Sequence, residues 1–232
     1  MKTSKANNES HYEFYLNDLF KQLVPITDGI FVDVGGGTGQ TLFKLGNIKQ
    51  AYCFEPLATN EFIKEAESMG HTVFPVCLSD STGIVTLRFK KDCQSVASII
   101  QGFRPTEFYN ESRQVIVVKG DDLFQDVQIG FLKIDAEGSE LEVLKGLQKT
   151  IERDMPFILF EILPNFLAFD NQPLSDEIIR FRDSRIAEMN DLLRGYSLYR
   201  LSPKGKQPIE RLEAPPGPRL ENINHLAVPC NL

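Results

Sequence analysis

Phe31–Gln40 reads FVDVGGGTGQ, three apolar residues around one aspartate followed by four glycines in five positions. A short apolar run that ends in glycines marks a buried strand closing in a tight turn, where the backbone enters positive φ or approaches another group closely. The following TGQTLFKLG has the composition of a helix opening from that turn. Strand, glycine turn and helix in this order are the first unit of a βα-type sheet, whose ligands bind beyond the carboxyl ends of the strands.

Outward from this unit the same rhythm recurs. AYCFEP forms a second expected strand, LATNEFIKEAESMG a helix stopping at Gly70, and TVFPVCLSD a third strand. GIVTLRF alternates behind the turn Ser81–Gly83 and reads as an added strand. Residues 92–113 read as a loop-rich insertion, and QVIVVKG resumes a strand. IGFLKIDAEG is then a strand and turn, SELEVLKGLQKTIERD one helix, and FILFEIL an almost wholly apolar strand of the kind buried on both faces of a parallel sheet. A long helix from Ser175 to Leu193 and the strands YSLYRL and HLAVPC complete the pattern, with a proline-rich loop around Pro215–Pro218 between them. Upstream, Tyr12, Tyr15, Leu16, Leu19, Phe20 and Leu23 recur at helical spacing. The expected fold class is α/β, a doubly wound and mostly parallel sheet. Residues 1–28 form an N-terminal helical segment, and 29–232 one domain with an insertion at about 83–119.

At 232 residues and 42% apolar content the chain has enough apolar surface for one sizeable core. A formal net charge of −7 leaves no overall basic footprint, which disfavours bulk nucleic-acid binding. Cys53, Cys77, Cys93 and Cys230 are scattered singly, without zinc-ligand spacing, as expected of a reducing compartment. The first residues lack a signal-peptide pattern and no run approaches the roughly 18 apolar residues of a bilayer span. A soluble cytoplasmic protein is the expectation.

Asp33, Gly35, Gly37 and Gly39 give D-x-G-x-G-x-G, whereas the dinucleotide pattern begun at Gly35 requires its last glycine where Gln40 stands. No Lys-Ser/Thr pair follows at P-loop spacing, so a phosphate is not the evident guest. Glu55, about twenty residues beyond the turn, ends the second strand, where a carboxylate can accept from both ribose hydroxyls. A glycine turn without a phosphate anchor, together with a ribose-binding glutamate, points to S-adenosylmethionine, with Asp33 meeting its ammonium directly or through water. NAD is the lesser alternative.

A second motif is more specific. FLKIDAEGSELEVLKGL, Phe131–Leu147, resembles the signature of the FkbM family of S-adenosylmethionine-dependent methyltransferases. FVDVGGGTGQ, FEP at Phe54–Pro56, LSDSTG at Leu78–Gly83, ILFEI at Ile158–Ile162 and NHLAVP at Asn224–Pro229 resemble it in the same order. The resemblance implies a Rossmann-like fold with a seven-stranded sheet and O-methylation of a hydroxyl on a saccharide, glycan or natural product. It assigns Asp33, Gly35, Gly37 and Gly39 to the methionine part of the cofactor and Glu55 to the ribose. It also puts Asp80, at the end of the third strand, near the adenine, with Cys77 and Leu78 as alternative lining.

Methyl transfer to a hydroxyl needs an aligned acceptor and a group that removes its proton. Asp135 and Glu137 follow the fourth strand, and Glu161 lies inside FILFEIL, where burial raises a carboxyl pKa toward neutrality. These three are the catalytic candidates. Glu137 and Glu140 are equally suited to charging the first turn of the next helix. Asp135 and Glu161 are also oxygen donors of the kind that hold magnesium, although metal-free catalysis is preferred. His225 and His11 are weaker candidates for the base, and His71 simply follows a helix-ending glycine. The acceptor remains open: a nitrogen- or lipid-directed enzyme of this fold and a non-catalytic nucleotide-binding module are the alternatives.

Overall fold

The computed structural model describes residues 18–19, 21–23, 27–45, 48–167, 172–218 and 220–230. Most of the expected N-terminal helix, with His11, lies outside them. Residues 18–19 and 21–23 are helical, and Leu19 and Leu23 pack against the core.

In chain order the first strands are β1 (Ile30–Val34), β2 (Ala51–Phe54), β3 (Thr72–Phe74), β4 (Cys77–Ser79), β5 (Gly83–Lys90) and β6 (Cys93–Ser98). They continue with β7 (Glu111–Lys119), β8 (Ile129–Ile134), β9 (Phe157–Glu161), β10 (Tyr196–Ser202), β11 (Gly205–Ile209) and β12 (Asn224–Pro229). The helices are α1 (Gln40–Leu45), α2 (Asn60–Ser68), α3 (Gly120–Leu123), α4 (Glu140–Gly146), α5 (Gln148–Asp154) and α6 (Asp176–Leu192). Thr59 and Ser175 cap α2 and α6 by accepting from Phe62 N and Ile178 N, which satisfies amides that have no partner within the helix.

The main sheet has eight strands in the order β11-β10-β12-β9-β8-β1-β2-β3. From β3 to β9 neighbours run parallel, whereas β12 runs against both β9 and β10. Alternate side chains serve opposite faces. Val32, Val34, Leu132 and Ile134 join the cluster that α4, α5 and α6 cover, while Phe31, Cys53 and Phe131 join the one reached by α1 and α2. Burial on both faces explains why these strands read as near-continuous apolar runs.

The structure differs from the sequence expectations in four places. The eighth strand, β11, pairs antiparallel with β10 at the sheet edge, where Pro208 is tolerated because its missing amide need not complete a ladder. TVFPVCLSD is two strands: Pro75 interrupts the ladder after β3, and β4 enters a separate four-stranded sheet ordered β4-β7-β5-β6. Within residues 92–113, Cys93–Ser98 is a strand and Glu111–Arg113 already belongs to β7. The mainly polar β6 carries little apolar alternation because much of it faces a cavity. The single helix expected across Ser139–Asp154 is also broken at Leu147.

Candidate active site

The chain leaves β1 for β2 and β3 on one side and later returns to place β8 and β9 on the other. The crevice between β1 and β8 is therefore the switch point of the sheet, where ligands of such folds bind. A cavity of about 560 Å³ opens there, within the range of small-molecule sites. Its walls come from the turns after β1, β2 and β8, the end of β9, and Gln94, Ser95, Ala97 and Ile99 from β6 and the residue following it.

The glycine turn divides its tasks. A Cβ on Gly35 would lie 1.8 Å from the Asp135 carbonyl oxygen, and one on Gly39 2.5 Å from the Phe62 ring. Those glycines serve the protein's own packing. At Gly37, with φ +55°, a Cβ would meet nothing within 4 Å. The absent side chain there leaves open space on the cavity wall.

Glu55 faces this turn. Its Oε2 accepts from Gly37 N at 2.9 Å and its Oε1 from Leu57 N at 2.8 Å. Each oxygen retains acceptor capacity for a further donor. Burial raises the Glu55 pKa, and the two amides oppose that rise. Cys77 and Leu78 line the same cavity, and burial pushes the Cys77 thiol up to about 12.

On the β8 side, Lys133 Nζ lies 3.0 Å from Asp33 Oδ1 and 3.5 Å from Asp135 Oδ2. Burial works to lower the Lys133 pKa, but the two aspartates outweigh it and keep the ammonium charged. Glu137 has a left-handed backbone, φ 51°, and is ion-paired with the buried Arg104, which also donates to Tyr109 Oη at 3.3 Å. Glu161 projects from β9 and makes no hydrogen bond to another described residue. Burial and then the charges of Asp135 and Glu137 raise its pKa well above the usual carboxylate range, with Lys133 opposing.

A family model described as the methyltransferase FkbM domain matches residues 33–198. The chain belongs to the FkbM methyltransferase family. No curated protein matches it. The crystal structure of methyltransferase FkbM from Methylobacillus flagellatus KT is similar, at 16% identity and a TM-score of 0.48. That similarity covers 86% of this chain but only 43% of the other.

In this FkbM-family chain, Asp135, Glu137 and Glu161 all line the cavity, as do Gly35, Gly37 and Glu55. Asp33 and Gly39 are not part of its wall. Asp33 is fully buried, with Lys133 between it and the cavity side, so the ammonium paired with it is supplied by the protein. Asp80 is also outside the wall. It is exposed at the end of β4, and its Oδ1 accepts from Ser79 Oγ at 3.3 Å, because the expected third strand divides before reaching it. Glu140 turns back to accept from Ala136 N and Gly138 N, and burial raises its pKa to about 7. His225 is buried with its ring stacked on Phe160, and burial lowers its pKa to about 4. It does not line the cavity.

Sequence reasoning missed Lys133 and Arg104. The signal for Lys133 was visible as one cation inside the apolar strand FLKI, whereas nothing local marks Arg104. Phe103 and Phe108 are buried: Phe103 lies where a Gly138 side chain would stand, and its carbonyl accepts from Arg182 Nε at 2.9 Å. Among the described residues, no three His, Cys, Asp or Glu side chains converge as a metal-ion set, and no helix is long and apolar enough to cross a membrane.

Proposed function

We propose that the chain is an S-adenosylmethionine-dependent methyltransferase acting on a hydroxyl of a saccharide, glycan or natural-product acceptor. The observation that carries this reading is Glu55, held by two backbone amides across from the open face of Gly37 at the switch point of the sheet. The residues fit the cofactor. Glu55 has acceptor capacity left for ribose hydroxyls, the space beside Gly37 accommodates the chain of its amino-acid tail, and Cys77 with Leu78 offers a wall to the adenine.

When bound, S-adenosylmethionine supplies an activated methyl group whose transfer to a hydroxyl releases one proton. Glu161 and Asp135 are the groups proposed to receive it. The raised pKa of Glu161 makes it a stronger proton acceptor than an ordinary carboxylate, while Lys133 pairs with Asp135 at the cavity wall. Glu137 is tied to Arg104 and is assigned to the acceptor wall in preference to proton transfer.

The test has two stages. Calorimetric titration should give binding of S-adenosylmethionine and S-adenosylhomocysteine but not NAD, and binding of NAD alone would overturn the proposal. A methyl-donor assay against a panel of glycans and sugar derivatives then identifies the acceptor.

A further inference from the structure

Among the described residues, the cavity wall carries four carboxylates, Glu55, Asp135, Glu137 and Glu161, and one cation, Lys133. That cation is already engaged. Its ammonium lies between Asp33, which is fully buried, and Asp135. Arg104, behind the wall, is ion-paired with Glu137, and its side chain is only 2% exposed. Glu161 has no hydrogen-bonding partner among the described residues, and it faces both this cavity and a smaller one of about 30 Å³ lined by Phe103, Glu140 and Arg182. Lys133 and Arg104 are thus held by the protein's own acids, Arg182 donates to the Phe103 and Pro164 carbonyls, and Glu161 has no hydrogen-bonding partner among the described residues.

We infer that the acceptor carries no anionic group beside its reacting hydroxyl, and that an amino alcohol, with an ammonium next to the hydroxyl, is favoured over its neutral and acidic counterparts. The inference rests on the proposed methyltransferase reading and names the substrate class for that site. A carboxylate or phosphate entering here would have to approach Asp135, Glu137 and Glu161, where like charges repel. Neither Lys133 nor Arg104 is available to receive it without first leaving a buried carboxylate unpaired. An ammonium meets the opposite situation, since Glu161 has no competing hydrogen-bond donor among the described residues and a cation beside it favours its ionised form. Neutral hydroxyl compounds occupy the middle of the series. Discrimination comes from repulsion of the wrong charge as much as from attraction of the right one.

The test uses the full chain saturated with S-adenosylhomocysteine, whose binding is measured first. Three probes are then titrated at low ionic strength by ligand-observed NMR: methyl glucosaminide, methyl glucoside and methyl glucuronide. The expected order of affinity is ammonium, neutral, carboxylate, with at least about tenfold between the extremes and a smaller ratio in about 0.5 M salt. Asp135→Asn combined with Glu161→Gln should narrow the ratio, whereas Glu61→Gln with Glu65→Gln on the exposed side of α2 should leave it unchanged. Failure of S-adenosylhomocysteine to bind refutes the methyltransferase reading itself. If it binds, but the glucuronide is held as tightly as the glucosaminide, or none of the three probes binds, or the α2 control narrows the ratio equally, this inference is overturned and the methyltransferase reading stands.

Discussion

Asp33 and Lys133 are register partners on the adjacent parallel strands β1 and β8, and the Lys133 ammonium donates to Asp33 Oδ1 at 3.0 Å while Oδ2 has no partner among the described residues. Removing one member of a buried pair leaves the other charge uncompensated. Lys133→Met should therefore cost about 3 to 5 kcal/mol of stability. Combining it with Asp33→Asn should recover most of that loss in urea denaturation; no recovery would show that Lys133 stabilises mainly through its alkyl packing.

The two halves of the glycine turn should separate experimentally. Gly37→Asn, which tolerates a left-handed backbone, fills the open side of the cavity and should weaken S-adenosylhomocysteine binding with little change in urea midpoint. Gly39→Ala drives a Cβ into the Phe43 and Phe62 rings and should lower the midpoint. Glu55→Ala should weaken cofactor binding by about 1 to 3 kcal/mol through lost charged hydrogen bonds. Unchanged affinity in both Gly37→Asn and Glu55→Ala would place the cofactor elsewhere.

Asp135→Asn and Glu161→Gln keep side-chain size while removing charge. Each should leave cofactor affinity within a few-fold yet reduce methyl transfer by roughly 100-fold, the scale of a positioned base. With Glu161 as base, the rate should rise with pH through its elevated pKa. That rise should vanish in Glu161→Gln and persist in Asp135→Asn, and the reverse pattern would assign the base to Asp135.

Two buried groups should pull stability in opposite directions as pH changes. Glu140 has a folded pKa of about 7 against an ordinary 4.5, so its contribution is complete below 4.5 and is lost as pH rises through 7. His225, at about 4 against 6.5, contributes above 6.5 and loses that contribution as pH falls through 4. Relative to the parent chain, Glu140→Gln should gain roughly 2 to 4 kcal/mol between pH 4.5 and pH 8. His225→Gln should flatten the acid side of the stability curve. Denaturation midpoints across that pH range check both.

Arg104→Leu removes the partner of Glu137 and the hydrogen bond to Tyr109, loosening residues 99–110 from the turn after β8. Cofactor affinity should be unchanged, while kcat/KM for the acceptor falls at least about tenfold. Equal kinetics in variant and parent would make that connection structural decoration.

Much of the main sheet was legible because strands buried on both faces and helices opening from glycine turns leave strong local patterns. Glu55, Asp135 and Glu161 were legible for the same reason: each ends or interrupts an apolar strand. Asp33 illustrates the boundary. Its type and position could be read, but not that Lys133, a hundred residues later, would occupy the place assigned to a ligand's ammonium. The second sheet was obscured because Pro75 redirects the chain without a long linker, and β6 is too polar to announce itself. The contact between Arg104 and Glu137 joins two connections and has no periodicity to reveal it.

The passage from β3 to β4 takes only Pro75 and Val76, yet the strands on either side belong to different sheets. In mechanical terms this separates two scaffolds. The turns that hold Glu55 and Asp135 are fixed by the packing of the large sheet, whereas the hairpin of β5 and β6 contributes to the cavity from a sheet with its own strand pairing. Substitutions at Gln94, Ser95 and Ala97 would therefore reshape one wall of the cavity while the large sheet keeps its register.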